Sequence, residues 1–316
     1  MLARSISRFH SVRVRFEGHV PSGPFHAVVW EFFLFVFKQA WACLFGGTLL
    51  ALFMLTRWLW PHHAWLHLLL ARYDFLFLAA LCIQIALLVL RMETVREAKV
   101  ILVFHAIGTC MELFKTSAGS WSYPELTSSA LDGSKHVFFH LGHVPLFSGF
   151  MYAAVGSYLV RTSRIMDIRY TRYPSQQFTA ALAALIYLNF FTHHFFPDIR
   201  IGLFAGVAIL FGPTTVYFRC YQKYRHMPLI VGFGLVAFFI WAAENIGTFA
   251  AAWTYPNQKN GWQMVQFGKY GSWYLLMIIS FVLVSFVHRP SPPPVSCLSP
   301  ENETSLALPG KQGVEA

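Results

Sequence analysis

Long apolar runs separated by short polar stretches dominate the chain. "AWACLFGGTLLALFML", "FLFLAALCIQIALLVL", "LIVGFGLVAFFIWAA" and "WYLLMIISFVLVSFV" each approach or reach the length of a spanning helix, for which about 20 apolar residues suffice. The pattern predicts an all-α, polytopic membrane bundle of about eight helices, near 37–58, 73–91, 98–121, 144–163, 176–195, 199–217, 228–253 and 270–288. A further apolar segment, "AVVWEFFLFVFKQ", either lies in the membrane interface or extends the first span. Nothing in the sequence explains its Glu31.

Composition sharpens this. Of 316 residues, 56% are apolar and 12% charged, about half the charge of a soluble chain. The first 25 residues are basic and lack a continuous apolar core, so no cleavable signal peptide is expected. The five cysteines are scattered singly, which points to neither a disulfide frame nor a cysteine metal site. The net charge of +10 fits cytoplasmic loops facing anionic lipid better than nucleic acid. Seven of the 24 basic residues fall on one side: Arg57, Arg72, Lys115, Lys135, Arg200, Lys259 and Lys269. The positive-inside rule then places both termini in the cytoplasm. The Pro- and Ser-rich tail after Arg289 reads as disordered.

Two stretches repeat. "ELFKTSAGSWSYP" from Glu112 and "ENIGTFAAAWTYP" from Glu244 share Thr at +4, Ala at +6, Trp at +9, Ser or Thr at +10, Tyr at +11 and Pro at +12. The two His-His pairs, His62-His63 and His193-His194, precede these glutamates by 50 and 51 residues, and Gly156-Ser157-Tyr158 echoes Gly271-Ser272-Trp273-Tyr274. Two tandem four-helix repeats are expected, 37–163 and 164–288, between a cytoplasmic or interfacial segment (1–36) and a cytoplasmic tail (289–316). An even number of spans gives both halves one orientation, related by a pseudo-twofold axis along the membrane normal.

The glutamates are the candidate chemistry. A helix continued to its Trp at an outer aromatic belt would leave Glu112 roughly 13 Å below that belt, near the middle of the bilayer. A carboxylate there costs roughly 2.5–3.5 kcal/mol, so it should face a partner or a cavity. Brought together by the axis, Glu112 and Glu244 would share a proton and form a donor and acceptor pair. Candidate substrate-binding groups around them are His105, Lys115, Trp121, Tyr123, Asn189, His193, His194, Asn245, Trp253 and Tyr255. Lys115 is also placed to pair with Glu112, one turn away. No metal is expected: the histidines look like outer helix ends, too far from the glutamates for bonds of about 2 Å. No nucleotide, flavin or haem motif occurs, so no cofactor is expected either.

The stretches "EAKVILVFHAIGTCMELFKTSAGSWSYPE", "VPLFSGFMYAAVGSYLVR", "NFFTHHFFPDIR" and "WAAENIGTFAAAWTYP" with "GSWYLLMIISFVLVSFVHRP" resemble the YoaT-like family of uncharacterised bacterial integral membrane proteins, domain of unknown function 817. The resemblance spans about residues 30–290. It implies a multi-pass protein of the bacterial cytoplasmic membrane and supplies no activity. Two readings of function stand. One is an acid/base enzyme acting on an apolar lipid or isoprenoid, its partners being membrane lipid and an apolar small molecule, never nucleic acid. The other is a proton-coupled transporter or small-molecule-binding protein. A purely structural role is the third.

Overall fold

A break at Cys43 divides the first apolar run in two. Helix α1 (Pro24–Ala42) ends there and α2 (Leu44–His62) begins, so the helix expected over 37–58 belongs to two elements, and the "AVVWEFFLFVFKQ" segment is itself helical. Pro24 opens α1, where its missing N–H costs nothing. The computed structural model describes residues 23–63, 69–128 and 136–294, Arg96 without its side chain. Most of the N-terminal segment, Lys135 and the tail from residue 295 onward lie outside the described residues.

The described residues hold ten α-helices. After α1 and α2 come α3 (Arg72–Val89), α4 (Val95–Ser117), the short α5 (Pro124–Ser128), α6 (Phe147–Ile165), α7 (Gln176–Thr192), α8 (Arg200–Phe211), α9 (Leu229–Phe249) and α10 (Gly268–Val287). Five segments are long and apolar enough to cross a membrane: α2, α3, α4 from Glu97, α9 and α10. Apolar side chains face outward along several helices, with Phe32 61%, Ile201 86% and Phe239 69% exposed. A water-soluble surface rarely carries so many.

The expected eight spans are corrected at two further places. The helix predicted over 199–217 stops at Phe211, because Gly212 and Pro213 follow and proline cannot donate to the helix ladder. The chain continues instead as a strand, Thr215–Arg219, the centre of a three-stranded antiparallel sheet between Arg169–Thr171 and Tyr224–Pro228. Helix α4 starts early because Thr94 and Glu97 form a capping box, each side chain bonding the other's backbone N–H at 3.2 and 2.7 Å.

Charges gather at the two ends of the bundle. At the sheet-bearing end Arg164 pairs with Glu97, Arg169 and Arg219 with Asp167, and Arg225 with Glu31 at 2.5 Å, which accounts for the glutamate in α1. Deeper, the buried Arg161 pairs with the buried Glu93 at 2.7 Å, and Ser157 and Gln84 also donate to that carboxylate. At the opposite end the buried Arg72 donates to the carbonyls of Phe53, Ala250 and Ala251 and pairs with Glu125. It thereby ties α3 to the end of α9. One apolar cluster, with Phe104, Phe211, Phe233 and Phe281, fills the bundle, and a second, with Phe53, Tyr73, Phe147 and Trp253, packs beneath Arg72's end.

Candidate functional site

Both glutamate-bearing helices end alike. Helix α4 stops five residues after Glu112, and α9 stops five residues after Glu244. At +7 from each glutamate stands a left-handed residue, Gly119 with φ 71° and Ala251 with φ 51°. At +8 the backbone N–H returns to the carbonyl at +3: Ser120 to Lys115 at 2.9 Å, Ala252 to Gly247 at 3.0 Å. This is the bond that closes a Schellman turn. The chain therefore folds back instead of running on to the Trp, which overturns the expected belt about 13 Å above the carboxylate. Each glutamate sits about 8 Å of helix from its outer end.

The returning loops deliver donors. Trp121 Nε1 donates to Glu112 Oε2 at 2.7 Å, Tyr123 Oη to the same oxygen at 2.8 Å, and Tyr152 Oη, from α6, to Oε1 at 2.7 Å. Tyr152 reaches across because Gly108 leaves room: a Cβ there would lie 2.5 Å from its ring. Glu244 receives Tyr255 Oη on Oε1 and Trp273 Nε1, from α10, on Oε2. Burial first, and the neighbouring carboxylate next, push the loop phenols Tyr123 and Tyr255 well above their ordinary value, so both stay donors. The carboxyl groups are buried, at 2% and 3% exposure.

The two loops also bind each other. Ser122 and Thr254, both at +10, exchange backbone hydrogen bonds at 2.9 Å in each direction. The Trp121 and Tyr255 rings meet edge to face at 6.1 Å, and Tyr152 lies 6.5 Å from Trp273. Glu112 and Glu244 are thus joined through their donors and line one cavity of about 1560 Å³. That cavity runs between α1, α2, α6, α9 and α10, from Lys115, Arg200 and Lys269 at one end to Arg164, Asp167 and Arg169 at the other.

Of the sequence candidates, Lys115, Trp121, Asn189, His193, Trp253 and Tyr255 also line this cavity. Tyr123 holds Glu112 from behind. His105 packs against Gly149 and the Phe150 ring, outside the cavity lining. Asn245 fastens a loop by accepting from Val265 N–H at 2.9 Å. Lys115 lies beside the histidines rather than Glu112, with His194 Nε2 at 3.0 Å and His193 Nε2 at 3.4 Å. Desolvation, with the Lys115 cation second, lowers the His194 pKa, so a neutral imidazole is there to accept. His62 stays on its own helix, bonded to the Trp58 carbonyl at 2.7 Å. Among the described residues no cluster of His, Cys, Asp and Glu has a metal-holding arrangement.

Three site residues escaped the sequence reading as ligands. Tyr152 and Trp273 come from other helices, and of these only Trp273 carried a signal, inside the Gly-Ser-Trp-Tyr echo. Lys269 sits over the Tyr255 ring at 4.6 Å, a cation on an aromatic face.

The profile of a family described as "Protein of unknown function (DUF817)" matches residues 31–281. The chain is 43% identical over 252 residues to "Uncharacterized protein YoaT" of Bacillus subtilis (strain 168), covering 79% of this chain and 89% of that one. No solved structure matches.

Proposed function

This chain belongs to the DUF817 family, and from that premise and the cavity we propose a proton-exchanging site for an apolar lipid, of the isoprenoid kind, in a bacterial cytoplasmic membrane with both termini in the cytoplasm. One observation carries the reading: two buried carboxyl groups share the wall of a single large cavity whose remaining surface is mostly apolar and aromatic. One glutamic acid gives a proton to a double bond or polar head of the lipid, and the other carboxylate takes one back, so the protein ends as it began. The fixed Tyr and Trp donors hold each carboxylate in place without supplying a competing charge. The halves 37–163 and 164–288 act as tandem repeats about a pseudo-twofold axis. The matching turns at +7 and the reciprocal Ser122–Thr254 bonds support that relation.

A second reading, proton-coupled transport, draws on one feature: charged side chains line both ends of the cavity. Comparing cells that express the wild type, Glu112→Gln or Glu244→Gln separates the two. The lipid reading expects an altered lipid extract for each variant with the protein still present in the membrane. Changed solute uptake with an unchanged extract favours transport. If neither variant alters extract, uptake or growth, both readings fail and a structural role is left.

A further inference from the structure

The outer end of the cavity is strongly and incompletely compensated in charge. Lys115, Lys269 and Arg200 all line it. Arg200 has a counter-ion, Asp198, at 2.5 Å, and also donates to Ser272 Oγ at 3.3 Å. Neither lysine takes part in an ion pair among the described residues. Lys115 is nonetheless only 5% exposed, and its neighbours at contact distance are two imidazoles. The three cations are close enough to feel one another's charge. Glu244 acts on Lys269 only through space, its two oxygens being taken by Tyr255 and Trp273.

A buried ammonium without a carboxylate is costly unless something anionic answers it. Asp198 pairs with one of the three cations, and the two lysines have no carboxylate at contact distance among the described residues. A phosphate monoester carries about −1.5 to −2 at neutral pH and accepts from several donors at once, whereas a carboxylate carries only one charge. Below this end the cavity wall turns apolar, with Leu49, Phe53, Phe233 and Leu276. A headgroup with a long hydrocarbon chain matches both parts, and a free anion matches only the first.

We infer that the outer end of the cavity is a phosphate-monoester subsite, with Lys115, Lys269 and Arg200 holding the anionic head of an amphiphile whose chain lies along the apolar wall past Glu112 and Glu244. This inference rests on the lipid reading above and names the class of lipid. It places the glutamates beside the chain segment adjoining the head.

Binding to purified protein in nanodiscs tests it, read by quenching of the cavity tryptophans Trp121, Trp253 and Trp273. Dodecyl phosphate, dodecanol and inorganic phosphate serve as the three probes. Dodecyl phosphate is expected to bind saturably, at least tenfold more tightly than dodecanol, with inorganic phosphate competing only weakly. Lys115→Gln and Lys269→Gln should each weaken dodecyl phosphate about tenfold and leave dodecanol unchanged, while Lys269→Arg keeps the affinity and guards against a mere folding defect. Equal affinity for dodecyl phosphate and dodecanol, or lysine variants without effect, overturns the subsite and leaves the lipid cavity standing. Inorganic phosphate binding as tightly as dodecyl phosphate overturns the amphiphile in favour of a free anion. If neither alkyl probe binds, the lipid reading falls with it.

Discussion

Glu112 holds three donors and Glu244 two, although the chain around both follows one spacing. The difference begins at +3. Gly247 there lets Trp253 lie directly on α9, where a Cβ would come within 2.1 Å of the indole. The second Trp is thus spent on helix packing, and Glu244 takes its indole from Trp273 on α10. Lys115 at the same place excludes that packing in the first half. Trp121 swings to the carboxylate instead, and the ammonium goes to the histidines. One position therefore decides what a shared aromatic does. It converts one member of a matched pair into a cation site and leaves the other a packed turn.

The comparison breaks hardest at Arg72, which stands in the first half and holds the turn carbonyls of the second. Arg72→Met should destabilise the protein by about 3–5 kcal/mol, since it strands the buried carbonyls of Phe53, Ala250 and Ala251. Denaturant unfolding in detergent measures this. Next comes Gly247→Lys, which installs the first half's residue in the second. Overpacking against Trp253 should cost about 1–3 kcal/mol and shift tryptophan emission to the red as the indole is expelled. The paired turns offer a finer test. Ala251→Gly should stabilise by about 1 kcal/mol and Gly119→Ala destabilise by about as much, because only glycine adopts the left-handed turn without penalty. Melting temperatures moving the same way would show that the turns are not equivalent.

The smallest effect lies at the far end of the cavity. The Tyr224 hydroxyl above all, and Arg169 after it, hold the Asp167 carboxyl below its ordinary value. A depressed folded-state pKa contributes stability above the unfolded value near about 3.9, which is lost as pH falls through the lower folded value. Asp167 is partly exposed, so Tyr224→Phe should cost only about 0.2–1 kcal/mol near neutrality, shrink the acid loss and raise the pH at which that loss is complete, its onset staying with the unfolded-state value. An acid titration of stability for both proteins checks the sign.

Local pattern carried the apolar helices and the glutamates with their aromatic offsets, because each is contiguous in the chain. Helix ends were harder. The helix expected over 199–217 ends at Phe211 because Gly212 and Pro213 interrupt it and a strand pairing on both sides captures the residues that follow. The turns at +7 were missed because Ala251 gives no glycine signal for its left-handed backbone. The cation cluster was out of reach: Lys115, Arg200 and Lys269 come from three helices, and only their packing gathers them around one opening. Glu31 shows the same limit, its partner Arg225 lying on a strand 194 residues further along the sequence.

The reciprocal backbone bonds of Ser122 and Thr254 have a mechanical consequence. They act as a rivet at one extremity, so any parting of the halves must swing about that point. For helices about 30 Å long, a 10° swing moves the opposite extremity by about 5 Å and the riveted one hardly at all. Such a swing would open the end beside the three-stranded sheet, at the expense of the Arg225–Glu31 pair that spans it, while the loops over the glutamates stay shut.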